Sequence, residues 1–173
     1  YDYIPFLFPE LGEILASSEE ATTRELILAA LNSTDKRFKQ GLFLSSGFFF
    51  SVLLWPVLCA RLERTRDQYS HFYAALHAGI VETLQQQQAI ISIPKRHAHM
   101  IRSIWVLQFS LARKRPKRVK SLLRHRYFRA ALDLLELRAQ FDPDLKDLAV
   151  WWRTLEDADH AIVDVMIKNI ERH

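Results

Sequence analysis

Apolar residues recur at intervals of three and four along most of this chain, which is the spacing of one face of an α-helix. The clearest example is the run YFRAALDLLELRAQF at residues 127–141, where apolar and polar side chains fall on opposite faces. Four glycines and six prolines in 173 residues leave little material for the many turns of an all-β fold. The sequence therefore predicts an all-α fold, with one compact multi-helix domain of about seven helices at residues 1–173.

Proline positions help to place the helices in the second half of the chain. Pro94 and Pro116 each precede a basic stretch and suit the first turn of a helix, where a missing backbone N–H does no harm. These signals predict basic helices at about residues 94–126. A further amphipathic pattern predicts a C-terminal helix at about residues 144–170, either continuous or broken once.

The run LFLSSGFFFSVLLWPVLCA at residues 42–60 contains no charged residue and is nominally long enough to span a bilayer. Its serines, Gly47 and Pro56 weaken that interpretation, and a helix that is apolar on all sides also suits the centre of a helical domain. We therefore expect a core helix that is capped by Ser45 or Ser46 and kinked at Pro56.

The single cysteine, Cys59, excludes a disulfide framework and favours a reducing, cytoplasmic location. Its apolar surroundings in the sequence predict an inert thiol. No secretory signal is evident in the first residues. Since the sequence begins at Tyr1 and not at methionine, we expect it to be a piece of a longer polypeptide.

The distribution of charge is more informative than the net charge of +4. The 50 residues between Glu82 and Asp133 contain no carboxylate and hold 12 of the 24 lysines and arginines, whereas acidic residues outnumber basic ones elsewhere. Within this window, LARKRPKRVKSLLRHR at residues 111–126 carries eight cations. Such an asymmetry indicates a cationic surface that faces a polyanion, either nucleic acid or a membrane. A solvated face with no partner is the simpler alternative.

Helical geometry separates the basic window into apolar and cationic faces. In its second helix Lys117, Lys120 and Arg124 share one face, and Val119 and Leu122 occupy the other. Like charges at these spacings repel by a few tenths of a kcal/mol per pair, roughly, and bound phosphate would offset that cost. The predicted phosphate-binding residues are Lys95, Arg96, Arg102, Arg113, Lys114, Arg115, Lys117, Arg118, Lys120 and Arg124.

Aromatic residues next to the basic window have two interpretations. Tyr127 and Phe128 adjoin it and could stack on unpaired bases. Burial in the core is the stronger expectation for Phe128, and stronger still for Trp105 and the pair Trp151 and Trp152.

Motifs for catalysis and metal binding are weak. His97 and His99 lie two apart, so they point in different directions on a helix, and no third ligand is evident. The D-x-D pairs at residues 142–144 and 157–159 could hold Mg²⁺, but neither follows an apolar strand or a glycine-rich loop. Turn and cap chemistry explains both pairs. The sequence predicts no catalytic residue, no metal site and no cofactor within this chain.

Several strings resemble one known family. SIPKR and IRSIWVLQ, followed by LLRHRYFRAALDLLELRAQ and LAVWWRTLE, are similar to the C-terminal part of bacterial poly(A) polymerases. These enzymes are class II nucleotidyltransferases, together with CCA-adding enzymes. ILAALNSTDKRFKQ and FFFSVLLWPVL resemble the preceding helical body of the same family. The resemblance covers roughly residues 6–156, and DADHAIVDVMIKNIERH at the C-terminus has no counterpart in it.

The resemblance implies a division of labour within a longer enzyme. In the family, an N-terminal head with a Gly-Ser motif and paired aspartates binds Mg²⁺ and transfers AMP from ATP. A neck recognises the nucleotide, and an all-α body grips RNA. The strings present here match only the body, so no catalytic residue is carried over. Lys95 and Arg96 in IPKR map onto the family's basic body, and residues 113–118 match a basic region with a less similar sequence.

The preferred interpretation is therefore the RNA-binding body of a poly(A) polymerase, lacking the catalytic head and inactive alone. Its partners would be RNA 3′ ends and the head and neck of the same chain, with no membrane. The full enzyme would adenylate RNA and so promote its processing and decay, with Mg²⁺ and ATP bound in the head. Three alternatives remain open: the body of a CCA-adding tRNA nucleotidyltransferase, a membrane-surface domain, and a non-enzymatic scaffold that binds an acidic protein.

Overall fold

The computed structural model describes residues 3–17, 20–40 and 45–172, and within these ranges the fold is all-α, without a strand. The predicted fold class is confirmed. The predicted number of about seven helices is wrong, because the described residues form eleven. They are α1 (Ile4–Leu7), α2 (Pro9–Leu15), α3 (Glu20–Lys39), α4 (Ser46–Leu53), α5 (Trp55–Thr65), α6 (Phe72–Gln88), α7 (Lys95–Arg113), α8 (Pro116–Leu123), α9 (Phe128–Ala139), α10 (Lys146–Asp157) and α11 (His160–Glu171).

The additional helices arise mainly where sequence patterns merge two short elements into one. The C-terminal pattern breaks at Ala158, which is extended, and Asp159 then caps α11 by accepting the N–H of Ile162 at 2.9 Å. Short 3₁₀ helices at Arg66–Gln68 and Pro143–Leu145 follow α5 and precede α10.

The uncharged run at residues 42–60 forms two helices, although its residues 42–44 lie outside the described ranges. Ser45 caps α4, as predicted, because its Oγ accepts the N–H of Phe48 at 3.4 Å. α5 begins directly after Leu54, since Pro56 has no N–H with which to continue the hydrogen-bond ladder of α4.

No single helix in the described ranges is long and apolar enough to cross a membrane. Ser46–Leu53 and Trp55–Gln68 meet that test only as a pair that is bent by 43°. The residues at the bend are buried in the protein core, as predicted for this run: Val52, Leu54 and Leu58 are no more than 2% exposed.

The chain divides into two compact units, residues 1–102 and residues 103–173. The first eight residues of α7 belong to the first unit, residues 1–102, and the rest of α7 belongs to the second unit. The expectation of one domain stays a prediction.

A buried arginine links three helices of the first unit. Arg61 on α5 is only 5% exposed and donates from Nε to Thr83 on α6 at 3.2 Å. It also forms ion pairs with Glu10 on α2 and with Glu82 on α6. Because an unpaired charge in an apolar interior is strongly destabilising, these partners fix the arrangement of α2, α5 and α6.

The core of the second unit surrounds Trp152, which is fully buried. The indole lies 5.7 Å from the ring of Phe128, and its Nε1–H donates to the carbonyl of Leu111 at 3.0 Å. That carbonyl lies in the last turn of α7, where a helix leaves carbonyls without an internal partner. Trp152 therefore contributes both apolar burial and a hydrogen bond at the end of α7. Other members of this core include Leu107, Val119, Leu122, Leu132, Leu135, Leu155 and Val163.

Trp152→Ala should lower the free energy of unfolding by about 3–5 kcal/mol, because it opens a large cavity beside α7. Val150→Ala is a matched control on the same helix, since Val150 is 65% exposed and should change stability by less than about 0.5 kcal/mol. Urea unfolding followed by circular dichroism measures both. Similar losses for the two variants would contradict a core centred on Trp152.

Candidate nucleic-acid interface

A tight break separates α7 from α8 within the basic window. Lys114 has a φ of 41°, a left-handed conformation that is uncommon for lysine, and its N–H donates to the carbonyl of Leu111 at 3.3 Å. Arg115 is extended, as the residue before a proline prefers to be, and Pro116 opens α8. Cations on either side of this break therefore belong to two different helices.

α8 has one buried side and one cationic side, as predicted. Val119 is fully buried and Leu122 is 5% exposed, and both belong to the core around Trp152. Lys117, Arg118 and Lys120 are exposed. The apolar stripe therefore attaches α8 to the core and leaves its cations in solvent.

The ten predicted phosphate-binding residues fall into two groups. Lys95, Arg96 and Arg102 are exposed on the part of α7 that belongs to the first unit. The second unit holds the other seven, of which Lys114 is half-buried and the rest are exposed. We call residues 113–126 the basic segment; its predicted members are Arg113, Lys114, Arg115, Lys117, Arg118, Lys120 and Arg124.

Two lysines of the basic segment contact side chains of the second unit. Lys120 Nζ lies 2.6 Å from Oδ1 of Asp164 on α11, and the hydrogen bond from this ammonium lowers the pKa of the Asp164 carboxyl. Lys114 Nζ lies 5.0 Å from the centre of the Trp151 ring, a cation–π distance. Both lysines therefore have structural partners in addition to any external anion.

Four other cations of the basic segment form no ion pair in the described part of the chain. Arg115, Lys117, Arg118 and Arg124 make no ion pair there. Because these four side chains are exposed and close in sequence, they repel one another, and solvent and salt screen that repulsion.

Carboxylates on α9 and α10 are occupied by two other arginines. Arg153 donates to both oxygens of Glu136 at 2.7 Å and also contacts Asp133 and Glu156. Arg129 donates to Glu156 at 2.9 Å. The hydrogen bond to Glu136 is the main cause of a raised pKa for Arg153. This network satisfies charges among α9 and α10 and does not neutralise the basic segment.

The N-terminal turn of α8 concentrates positive charge. Arg115 lies at its N-cap, Lys117 and Arg118 lie within it, and the turn contains no acidic residue. Helix N-termini carry a partial positive charge and favour carboxylates, so cations there cost stability. A phosphate group in contact with this turn would interact favourably with the side chains and the helix dipole together.

The weak candidates for metal binding are the two D-x-D pairs and the histidines at positions 97 and 99. The described residues contain no group of three or more metal-ligating side chains. Asp142 Oδ1 accepts the N–H of Asp144 at 3.1 Å, and Asp159 caps α11, so turn and cap chemistry is confirmed at both D-x-D pairs. His97 is half-buried and His99 is exposed. Cys59 is half-buried, and its predicted inertness stays a prediction.

The aromatic residues mostly serve the core. Phe128 is 3% exposed and packs edge-on against Trp152, which confirms core packing for this residue. Trp105 is fully buried. Trp151 is half-buried, 4.8 Å from Trp152, and Tyr127 is half-buried at the edge of the same core.

Comparisons with known proteins identify the family of this chain. Residues 68–173 match the family described as polymerase A arginine-rich C-terminus. The chain belongs to this family. It is 32% identical to the poly(A) polymerase I of Salmonella typhi over 84% of its own length. It is also 30% identical to the poly(A) polymerase I of Escherichia coli O157:H7 over 84% of its length, and 28% identical to that of Haemophilus influenzae over 99%.

The family match confirms the resemblance to bacterial poly(A) polymerases and corrects its boundary. The match extends to residue 173, so residues 157–173, for which the sequence strings give no counterpart, fall within the family. The chain spans about a third of the length of the curated relatives that it matches. The basic segment lies within the arginine-rich region that the family description names.

Sequence patterns missed three features of this surface. They gave no indication that Asp164 pairs with Lys120, because the two residues are 44 positions apart. They also missed the left-handed Lys114, since lysine at such a position is not a recognised turn signal. The third is the hydrogen bond from the N–H of Tyr127 to the ring of His125.

Arg118→Glu should raise the midpoint of thermal unfolding at low salt, by an amount equivalent to about 0.5–1 kcal/mol. It removes a cation from the first turn of α8 and places a carboxylate at the positive end of the helix. Arg172→Glu is the matched control, because Arg172 is the C-cap of α11, where a carboxylate is unfavourable. Calorimetry at roughly 20 mM and 500 mM salt tests this, since salt screens the repulsion. A lower midpoint for Arg118→Glu at low salt would contradict the expected repulsion.

Proposed function

We propose that this chain is the RNA-binding portion of a poly(A) polymerase that adds AMP from ATP to RNA 3′ ends in the cytoplasm and so promotes RNA processing and decay. The observation that carries this proposal is the basic segment, whose exposed cations include four without an acidic partner in the described residues. Membership of the arginine-rich family supports the link to polyadenylation.

The chemistry of the basic segment suits a phosphate backbone. Arginine forks hold phosphate oxygens in two parallel hydrogen bonds, and each neutralised phosphate releases a counterion. Binding of this kind does not depend on base sequence, which suits an enzyme that acts on many RNA 3′ ends. Arg115, Lys117 and Arg118 would attract the phosphates of a duplex as well as those of a single strand.

Catalysis belongs, in this proposal, to a head domain outside the chain. The described residues contain neither a cluster of carboxylates that could hold Mg²⁺ nor a glycine-rich phosphate loop. Mg²⁺ and ATP would be held by that head, and the helical chain would retain RNA near it. Lys95, Arg96 and Arg102 would add phosphate contacts on the first part of α7.

The charge-reversed variant Arg115→Glu/Arg118→Glu should bind single-stranded RNA more weakly than the unaltered chain. The slope of log K against log salt should also become shallower, by roughly 0.7 for each phosphate that the variant no longer neutralises. Both positions lie at the N-terminus of α8, where glutamate is compatible with the helix, so the fold should persist. Fluorescence anisotropy with a 3′-labelled single-stranded RNA over a series of salt concentrations measures affinity and slope together.

Lys146→Glu/Arg172→Glu is the matched control for this experiment. It makes the same change in net charge on exposed residues of the second unit outside the basic segment. We expect its salt slope to remain that of the unaltered chain. Equal losses in the two double variants would mean that net charge alone attracts RNA, and absence of binding at low salt would overturn the proposal for this chain.

The chain alone should not extend RNA when it is incubated with ATP and Mg²⁺, because the proposed catalytic head is a separate part of the enzyme. A gel assay with radiolabelled RNA detects a single added AMP, and the poly(A) polymerase I of Salmonella typhi serves as the positive control. Extension by this chain would show that its own residues carry out adenylyl transfer.

A further inference from the structure

The linker between α8 and α9 presents an exposed imidazole within the basic segment. Only residues 124–127 separate the two helices, and Arg124, His125 and Arg126 are all exposed. Phe128, the first residue of α9, is buried in the core and fixes the end of the linker. His125 is therefore exposed to solvent and lies close in sequence to the buried Phe128.

The position of His125 is defined by three hydrogen bonds. Its backbone N–H donates to the carbonyl of Leu122 at 3.0 Å, and its own carbonyl accepts the N–H of Phe128 at 3.0 Å. Its ring Nδ1 accepts the N–H of Tyr127 at 3.1 Å. The last bond ties the ring to the backbone of Tyr127 and so restricts the orientation of the ring.

The surroundings of His125 combine flat rings with guanidinium groups. The His125 ring centre lies 6.1 Å from that of Tyr127, with an angle of 46° between the planes. The Arg126 guanidinium carbon lies 5.4 Å from the Tyr127 ring centre. Arg124, on the other side of His125, makes no ion pair among the described residues. His125 lies between two arginines in the sequence. This arrangement suits a nucleotide, because the base can stack on the ring and the phosphates can pair with the arginines.

We propose that the ring of His125 is a stacking position for one unpaired base of a single-stranded RNA, with the flanking phosphates on Arg124 and Arg126. This inference rests on the proposed RNA-binding function and adds to it a preference for unpaired bases. The hydrogen bond to Tyr127 requires only an acceptor at the position of Nδ1, and a short polar side chain would supply one. The linker therefore does not require an exposed aromatic ring for its own conformation.

Two substitutions of His125 separate stacking from the structural hydrogen bond. His125→Asn keeps an acceptor for the N–H of Tyr127 and removes the ring, whereas His125→Phe keeps a ring and removes the acceptor. His160→Asn is the matched control, because His160 is also exposed in the second unit but lies outside the basic segment. Affinities are measured for a single-stranded RNA and for an RNA duplex of the same length, in the same buffer.

We expect His125→Asn to weaken binding to the single strand by about fivefold or more, since one stacked base contributes about 1–3 kcal/mol. His125→Phe should bind the single strand within about twofold of the unaltered chain, because phenylalanine supplies the same kind of stacking face. Neither variant should change the salt slope or the affinity for the duplex, in which the bases are paired and stacked on each other. His160→Asn should have no effect on either RNA.

Several outcomes would overturn this inference while leaving the proposed function intact. One is unchanged single-strand affinity in His125→Asn. Another is weak binding by His125→Phe with normal binding by His125→Asn, which would assign His125 a structural role in the linker. Equal losses for the single strand and the duplex would also overturn it. If the unaltered chain binds neither RNA at low salt, both the proposed function and this inference fail.

Discussion

The second unit depends on the burial of Trp152. This residue fills the centre of the core with an indole and donates to the carbonyl of Leu111 in the last turn of α7. The last turn of a helix leaves carbonyls without a partner inside the helix, and the indole N–H supplies one for the buried Leu111. Because α7 can end there, Lys114 can adopt its left-handed conformation and Pro116 can begin α8 on the surface of the same core. The uncharged side chain of Trp152 therefore helps to position the basic segment.

The electrostatics of this unit are uneven in a way that stability alone does not explain. On α9 and α10, Arg153 pairs with Glu136, Asp133 and Glu156, and Arg129 also pairs with Glu156, so opposite charges meet at short distance. In the basic segment, by contrast, cations neighbour cations, and they surround the positive end of a helix. Surface ion pairs contribute little individually, so the difference is small in free energy. The difference in electrostatic potential matters more, because several cations without ion pairs, within a few turns of helix, act together on a polyanion.

The sequence predicts the fold class and the two faces of α8 because both depend on local periodicity. Val119 and Leu122 fall inside and Lys117 and Lys120 outside for the same reason that any amphipathic helix buries one stripe. The number of helices is less predictable. The break before Trp55 depends on how Pro56 and the surrounding core compete, and hydrophobicity alone is continuous across it. Contacts between distant residues, such as Arg61 with Glu10, leave no periodic trace in the sequence at all.

The predicted phosphate-binding residues are not equivalent, because some of them already have partners within the second unit. Lys120 already has the Asp164 carboxylate as a partner, so a phosphate at this position must displace or share that carboxylate. The pKa of Asp164 is lowered, so the pair is intact at neutral pH and is lost only as the pH falls through that lowered value. Lys114 is partly engaged by the Trp151 ring and by its place in the turn. Arg115, Lys117, Arg118 and Arg124 form no ion pair in the described residues. If the chain binds RNA as proposed, its affinity should therefore depend more on these four residues than on Lys120 and Lys114.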